Sequence, residues 1–296
     1  MSELTTQTCA WIEAQTGSPV LSATKLDGAT TASVHRLDLA NGRILVAKVF
    51  DQQDFLDERP DRADHEAAML DLLEPTPVPA PRLVAVDGVG EAAGIPTVLM
   101  TWVEGTTELP DGWVGAMAQN IADIHRVDPG GITWPYERYN EGFELAAPSW
   151  AGDPGIWNEA FAIATSPPAT ATGFIHRDYH GGNLLWLEGE LTGVLDWLSG
   201  CIGPLAIDLA HLRVNLAMDH GLDEAEAVLD EYLELGEGGA WHPAWDVVDA
   251  IDFLPYWLGL PAVEVWTWDG RPAAETRARF DRILSDAVRA SYGSPQ

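Results

Sequence analysis

The sequence predicts an α+β fold in which a strand-rich first third precedes a mostly helical remainder. Apolar and polar residues alternate on either side of Asn41-Gly42, which is typical of an antiparallel hairpin. From Trp113 onward, apolar residues recur mainly at helical spacing. The chain has 296 residues, more than the roughly 100 to 200 of one ordinary domain, so two domains are expected.

The first domain is expected over residues 1–100, followed by a connector at 101–105. Its predicted elements are a helix within 1–16, a hairpin or phosphate-binding loop over 20–34, strands over 34–39 and 43–50, a helix over 61–74 and a strand over 95–103. Phosphate-binding loops are glycine-rich, and Gly28 is the one glycine between residues 20 and 34, which favours the hairpin.

The second domain is expected over residues 106–296. Its predicted elements are helices over 113–127, 205–218, 223–235, 245–258 and 273–292, with strands over 183–187 and 191–197. Cys9 and Cys201 lie far apart in sequence, which predicts neither a disulfide framework nor a zinc site.

Composition and charge exclude several classes of partner. The chain is 46% apolar and 21% charged, and no stretch approaches the roughly 20 apolar residues of a membrane helix. Sixteen basic against 46 acidic residues give a net charge of −30, which repels nucleic acid and anionic membranes and attracts cationic ligands. The polar start is unlike a secretory signal. A cytoplasmic protein, monomeric or homodimeric, is expected.

Three polar residues form the most informative pattern. Asp178 is followed by Asn183 directly before a predicted strand, and Asp196 ends the next strand. Phosphoryl transfer needs a carboxylate to accept a proton from the attacking hydroxyl, and neutral and anionic oxygens to hold magnesium. The pattern therefore indicates phosphoryl transfer.

The same segment allows a second interpretation. His176, Asp178 and His180 alternate and could bind one zinc ion, as in metal-dependent hydrolases. The other histidines offer no second tight cluster to complete such a site. The interpretation of His176 that we favour is a neutral ring that supports the loop.

The scarcity of lysine directs attention to the first domain. Lys25 and Lys48 are the two lysines of the chain, and Lys48 lies inside a predicted strand. An inward-facing lysine must meet anions, and Glu66 on the following helix is the candidate partner. A strand lysine paired with a helix glutamate positions the α- and β-phosphates in kinases.

With these motifs the chain resembles the aminoglycoside phosphotransferase family, which comprises small-molecule kinases that share the protein-kinase fold. The resemblance spans most of the chain and is carried by VAKVF with HEAAML, MTWVEG, IADIHRVD, HRDYHGGNLLW, VLDW and GPLAIDLAHLRVN. It implies a bilobal protein-kinase-like fold with an antiparallel-sheet N-lobe and a mostly helical C-lobe. It also implies transfer of the γ-phosphoryl group of ATP or GTP, with Mg²⁺, to a hydroxyl of a small molecule.

The resemblance assigns roles residue by residue. It implies that Asp178 is the catalytic base and that Mg²⁺ is held by Asn183 and Asp196. The nucleotide phosphates would be positioned by Lys48 and Glu66, and the nucleotide would also contact Ser33 and the hinge residues Met100, Trp102 and Val103. The catalytic loop would be braced by His176 and Asp208. The chain departs from the family where Arg177 replaces a common glycine and where Gly203-Pro204 replaces a Gly-Asp-Pro sequence.

The acceptor is less constrained by sequence. Carboxylates and tryptophans between residues 246 and 269 suit an antibiotic of aminoglycoside, macrolide or nucleoside type, inactivated by phosphorylation, with a cationic antibiotic as one alternative. Asp252 and Glu264 are the candidate acceptor contacts, with a solvated helix face as the alternative for each. Two other functions stay open: a metabolic kinase for a sugar, choline-like or homoserine-like alcohol, and a non-catalytic nucleotide-binding pseudokinase. The complete set of chemical residues argues against the second.

Overall fold

The computed structural model describes residues 4–29, 31–141, 144–236, 241–254 and 273–293. The chain divides into two compact units, Met1–Glu108 with Leu184–Gly200, and Leu109–Asn183 with Cys201–Gln296. The first boundary between the units, after Glu108, lies close to the connector expected at residues 101–105. The sequence placed residues 184–200 in the second domain, whereas in the structure they belong to the first unit.

The strands of the described residues are β1 (Val20–Leu26), β2 (Ser33–Leu39), β3 (Ile44–Val49), β4 (Leu83–Asp87), β5 (Thr97–Thr101), β6 (Thr172–Ile175), β7 (Leu184–Leu187), β8 (Glu190–Val194) and β9 (Cys201–Pro204).

The helices are α1 (Thr6–Thr16), α2 (Gln53–Glu58), α3 (Arg62–Leu73), α4 (Trp113–His125), α5 (Pro154–Thr165), α6 (Leu205–Asp219), α7 (Leu222–Glu234), α8 (Ala244–Asp252) and α9 (Ala273–Gly293). Among the described residues, no helix has both the length and the apolar character that crossing a membrane requires.

The first unit is built on a five-stranded antiparallel sheet with the order β1-β2-β3-β5-β4. Asn41-Gly42 turns the chain between β2 and β3, with Gly42 at φ 82°, a conformation that costs glycine little. Buried and half-buried residues alternate along β2. Its inward residues Leu37 and Leu39 pack with Trp11 and Ile12 of α1. Burial of each such side chain stabilises the fold by about 1.5–3 kcal/mol.

The same alternation positions Lys48. Leu45 and Ala47 of β3 belong to the core under α1, so Lys48 projects from the opposite face of the sheet. Helix α3 packs against β4 and β5. The alternation of side chains along β3 thus gives the sheet one apolar face and one face that carries the buried charge of Lys48.

The β7–β8 hairpin completes the first unit. Leu184 pairs with Val194, and Leu187 pairs with Glu190 across the turn. Thr106 and Trp186 exchange two backbone hydrogen bonds of 2.9 and 2.8 Å, which fix the connector to the hairpin.

The second unit is organised around α6. Every residue from Ala206 to Met218 is buried, as expected of a helix enclosed on all sides. Helices α7, α8 and α9 pack against it, and α4 packs against α7. The short antiparallel pair β6–β9 leads into this helix, with Ile175 opposite Cys201.

The fold class predicted from sequence is confirmed, as are the hairpins about Asn41-Gly42 and between residues 20 and 39. Five of the described elements were missed: α2, α5, β4, β6 and β9. The predicted helix over 245–258 is described only to residue 254.

Candidate active site

One group of predicted site residues lies in the first unit around Lys48. Its Nζ lies 2.8 Å from Oε2 of Glu66 on α3, and it donates a 2.8 Å hydrogen bond to Oδ1 of Asp196, just after β8. The side chains of Lys48 and Glu66 are 7% and 2% exposed, whereas that of Asp196 is 39% exposed. The structure brings these three residues into one ion-pair cluster that opens to solvent at Asp196.

Burial and charge oppose each other in this cluster. Burial alone would lower the pKa of Lys48, but Asp196 and Glu66 together raise it above its ordinary value. Burial raises the pKa of Glu66, and Lys48 acts in the opposite direction. Because loss of one partner from a buried ion pair costs about 3–5 kcal/mol, these contacts hold the Lys48 ammonium in one place.

The turn after β8 orients Asp196. Its backbone has φ 60° and ψ 62°, a left-handed conformation that costs a non-glycine residue roughly 1–2 kcal/mol. Trp197 is buried, and its Nε1 donates to the carbonyl oxygen of Val194 at 2.8 Å. This side-chain contact closes the turn and stabilises the strained backbone.

Two further predicted nucleotide-binding residues belong to the same sheet. The hydroxyl of Ser33 accepts a hydrogen bond from Nζ of Lys25 at 3.0 Å and donates to Asp51 at 2.7 Å. Met100 lies in β5 and is 7% exposed. The Ser33 side chain is therefore tied to Lys25 of β1 on one side and to Asp51, just after β3, on the other.

Trp102 and Val103 follow β5 in the connector. The guanidinium of Arg36 lies 5.4 Å from the ring centroid of Trp102. The buried Nε1 of Trp102 makes no hydrogen bond among the described residues. Val103 packs against Gly193 of β8, where an added Cβ would lie 2.8 Å from Cγ1 of the valine. Glycine at this position lets the connector approach the hairpin closely.

The second group of predicted residues lies in the second unit, in the loop after β6. Nδ2 of Asn183 donates to Oδ2 of Asp178 at 3.1 Å and to the Asp178 carbonyl at 2.9 Å. The backbone N–H of Asp178 donates to Nδ1 of His176 at 3.2 Å. The Asp178 side chain is 35% exposed. Its carboxylate is thus held in place and remains accessible.

Asp208, on the first turn of α6, holds the start of this loop. Its two oxygens accept the backbone N–H groups of His176 and Arg177 at 2.9 and 2.7 Å. Nε2 of His125 lies 3.3 Å from the same carboxylate. Burial would raise the pKa of Asp208, but His125 and these donors lower it below its ordinary value. Arg177 takes a left-handed backbone, with φ 71°.

The Arg177 side chain is buried in a cluster of charges. Its Nη2 donates to Oδ2 of Asp252 at 2.8 Å, and its Nη1 lies 3.5 Å from Asp249. The guanidinium also lies 3.9 Å from the ring centroid of Tyr139. Nε of Arg138 donates to the other oxygen of Asp252 at 2.9 Å.

These contacts correct the two interpretations offered for Asp252. Its side chain is fully buried rather than solvated, and both oxygens are used by arginine. The carboxylate is therefore a structural anchor for Arg177 and has no accessible face for an acceptor. Glu264, the other expected acceptor contact, lies outside the described residues.

Sequence reasoning missed His211, which contacts Asp178. Nε2 of His211 lies 3.2 Å from Oδ1 of Asp178, and Nδ1 lies 3.1 Å from Oδ1 of Asp249 on α8. Two signals in the sequence could have found this arrangement. His211 follows Asp208 by three helical positions, and Asp246, Asp249 and Asp252 repeat every three, which places each set on one helix face.

The two expected magnesium ligands, Asn183 and Asp196, belong to different units. Nδ2 of Asn183 is used within the loop, which leaves the amide oxygen for a cation, and the partly exposed Asp196 offers carboxylate oxygen. Hard oxygen donors of this kind suit Mg²⁺. Within the described residues, no three His, Cys, Asp or Glu side chains form a metal cluster.

Comparisons with known proteins agree with the motifs. The 296-residue chain matches a homoserine kinase of Chelativorans sp. (strain BNC1) with 34% identity over 154 residues, which are 45% of this chain and 45% of that protein. The chain spans about half the length of the curated relatives it matches.

Solved structures with the same fold include two antibiotic kinases. A ternary complex of the aminoglycoside phosphotransferase APH(4)-Ia with ADP and hygromycin B has a TM-score of 0.64 at 14% identity, covering 98% of this chain and 100% of that chain. Macrolide 2'-phosphotransferase MphH from Brachybacterium faecium has a TM-score of 0.60 at 17% identity, covering 92% and 96%.

A sequence model described as the phosphotransferase enzyme family matches residues 23–251. This match covers most of both units and includes every predicted residue for the chemical step. The chain belongs to the phosphotransferase enzyme family.

Proposed function

We propose that this protein transfers the γ-phosphoryl group of ATP or GTP to a hydroxyl of a small molecule. The observation that carries the proposal is the Asp178 carboxylate, which Asn183 holds in place and which is still 35% exposed. A carboxylate that is ordered and accessible can receive a substrate hydroxyl. The family motifs around Asp178 indicate that the reaction is phosphoryl transfer.

The proposed reaction needs little basicity from Asp178. The acceptor oxygen forms a bond to the γ-phosphorus, the bond from that phosphorus to the β-phosphate oxygen breaks, and the hydroxyl proton passes to Asp178. Burial alone would raise the pKa of Asp178, but His211 and the neighbouring histidines hold it well below its usual range. Such a weak base suits a loose transition state in which the proton leaves late.

The first unit supplies the proposed nucleotide contacts. Lys48, held by Glu66 and Asp196, would contact the α- and β-phosphates, and residues 100–105 would contact the base. Asn183 and Asp196 are the proposed ligands of Mg²⁺, which neutralises phosphate charge when bound. Ser33 stays a proposed phosphate contact, although its hydroxyl is already engaged by Lys25 and Asp51.

The acceptor that we propose first is a cationic antibiotic, inactivated by phosphorylation and thereby conferring resistance. The net charge of −30 favours the approach of an amine-rich molecule. Two kinases with the same fold are named for aminoglycoside and macrolide substrates. Asp252, which is buried and ion-paired, is not proposed as a contact for this acceptor. A cytoplasmic enzyme would meet such an antibiotic where ATP is present.

A homoserine-like amino alcohol is the second candidate acceptor. The observation that favours it is the 34% identity to a homoserine kinase over 154 residues, a higher identity than either antibiotic kinase shows. This acceptor is also an amine, so the acidic surface does not separate the two candidates.

A panel of acceptors tests the proposal. The protein is incubated with Mg²⁺, ATP or GTP, and single aminoglycosides, macrolides, nucleoside antibiotics, homoserine, choline or sugars, and each product is weighed by mass spectrometry. A mass gain of one phosphoryl group that needs both enzyme and nucleotide supports the proposal and identifies the acceptor class. No gain with any acceptor, together with no ADP or GDP formation, would favour the pseudokinase.

A further inference from the structure

A continuous chain of charged residues runs inward from Asp178, and the proposed reaction assigns no step to the four residues beyond it. From the loop inward it runs Asp178, His211, Asp249, Arg177 and Asp252, with successive contacts of 3.2, 3.1, 3.5 and 2.8 Å. All five residues belong to the second unit. The four beyond Asp178 are at most 2% exposed. Charges buried to this degree are costly unless their contacts are maintained.

His211 is the link between Asp178 and the interior. Its Nδ1 is within hydrogen-bond distance of Asp249, and its ring stacks on Phe253 with centroids 5.1 Å apart and planes inclined by 11°. The buried Nε2 makes no hydrogen bond among the described residues, although it lies 3.2 Å from Oδ1 of Asp178. The Asp178 carboxylate is the charged group that faces it. Packing and Asp249 therefore fix the ring, and the ring fixes one side of Asp178.

The charges facing His211 favour a protonated ring. Asp178 and His180 approach from the loop, and Asp249 approaches from α8. Burial would lower the pKa of His211, but Asp249 and Asp178 raise it to about 9. With both nitrogens protonated, Nδ1 donates to Asp249, and the positive charge of the ring lies beside Asp178, with Nε2 3.2 Å from Oδ1.

We propose that His211 is a positioning residue for phosphoryl transfer: as an imidazolium anchored by Asp249, it holds Oδ1 of Asp178 while Asn183 holds Oδ2. The carboxylate then has its rotation restricted from two sides and presents its accessible edge to the acceptor hydroxyl. This inference rests on the proposed function for its effect on rate. The pairing itself can be measured without any acceptor.

The first test is NMR of histidine-labelled protein at pH 7. His211→Gln identifies the His211 signal by its loss. We expect both ring nitrogens of His211 to carry protons in the wild-type protein, and a neutral ring in Asp249→Asn. A ring with one protonated nitrogen in the wild-type protein would overturn the pairing whether or not any acceptor is phosphorylated.

The second test measures turnover, as acceptor phosphorylation or as ATP hydrolysis. His211→Gln should lower kcat by roughly 10- to 100-fold and leave KM for ATP unchanged, because misplacing a reacting group by about 1 Å can have an effect of this size. His220→Gln, at the end of the same helix, is the matched control and should retain wild-type kcat. Wild-type kcat in His211→Gln would contradict the role.

The double variant separates positioning from general structural support. Residues that act through one another have non-additive effects. Adding His211→Gln to Asp178→Asn should therefore cause little further loss of residual turnover. An equal fold-loss in both backgrounds would show that His211 acts independently of Asp178 and would overturn the inference.

Discussion

Asp178, Asp208 and Asp252 are carboxylates with different surroundings and hence different tasks. Asp178 is partly exposed and held from its own loop, which suits contact with a substrate. Asp208 is buried, and its oxygens accept hydrogen bonds from backbone N–H groups. Each hydrogen bond to a charged group contributes about 1.5–3 kcal/mol to stability. Asp252 is buried between two arginines. Partners, rather than residue type, decide which carboxylate is available for chemistry.

Protonated His211 should make stability depend on pH. The pKa of His211 is raised from 6.5 to about 9 in the folded protein, so its stabilising contribution is fully present below pH 6.5 and is lost as the pH rises through about 9. We expect the free energy of unfolding, measured by urea denaturation, to fall over this interval. His211→Gln should flatten the curve, whereas His220→Gln should follow the wild-type protein. Parallel curves for all three proteins would contradict the assignment.

At the residue scale, the sequence predicted the groups that follow family motifs and missed those defined by packing. Lys48 and Glu66 could be paired because an inward lysine needs an anion. Asp252 could not be assigned correctly, because its burial depends on Arg138 and Arg177, which are distant in sequence. His211 lay within a recognised motif, but its contact with Asp178 depends on how α6 packs beside the loop.

Among the elements, the loop after β6 depends on α8 as well as on α6. The Arg177 side chain extends from the loop and contacts Asp249 and Asp252 on α8. The hydroxyl of Tyr136 also donates a hydrogen bond to Asp252 at 3.1 Å. The loop is therefore fixed at its backbone by one helix and at its arginine side chain by another.

Breaking this contact should be costly. Asp252→Asn leaves two arginines without their shared counter-ion, and we expect the free energy of unfolding to fall by about 3–5 kcal/mol. The matched control is Asp286→Asn on α9, whose contact with Arg289 is 3.3 Å at 50% exposure and should be worth less than about 1 kcal/mol. Urea denaturation of both variants measures the two losses in the free energy of unfolding. Similar small losses would show that the buried pair is not structural.

Gly203 on β9 is a second point where elements meet closely. A Cβ there would lie 2.6 Å from Cδ1 of Ile175 and 2.7 Å from Cβ of Tyr136. Gly203→Ala should destabilise the protein by about 1–3 kcal/mol through overpacking. Gly131→Ala is the control, since nothing lies within 4 Å of its Cβ position. Equal melting temperatures for the two variants would contradict the predicted clash.

Long periodic elements were predictable, and short ones were not. Helix α3 and strands β2 and β3 show clear spacing and turn signals. Strand β4 follows a proline-rich segment and obtains its hydrogen bonds from β5, which local sequence does not reveal. β6 and β9 have four residues each and pair across a wide sequence interval, so their pattern is too short to read.

For the whole molecule, the dominant sequence property is the net charge of −30. Self-repulsion of this size destabilises a compact state, and salt screens it over about 10 Å at 0.1 M and about 3 Å at 1 M. We expect the melting temperature to rise as NaCl is raised from low concentration. Choline chloride should act similarly, since screening does not require a bound metal ion. A melting temperature that is independent of both salts would contradict this account.

Two domains were expected from the sequence, with the β7–β8 hairpin in the second, whereas the structure assigns this hairpin to the first unit. Its residues follow the loop after β6 in sequence, yet they contact the connector of the first unit through Thr106 and Val103. Asp178 and Asn183 thus belong to one unit, and Asp196 belongs to the other. Sequence adjacency is a poor guide where a chain returns to an earlier unit.

The most direct test of the central claim is the turnover of Asp178→Asn under saturating nucleotide, scored as phosphorylated acceptor or as ADP formed. The substitution preserves shape and leaves the Lys48 cluster unchanged, so nucleotide affinity should match that of the wild-type protein. Turnover should fall at least ~100-fold, the lower range for loss of a positioned general base. Turnover close to wild type in this variant would contradict the assignment of Asp178 as the group that receives the acceptor proton.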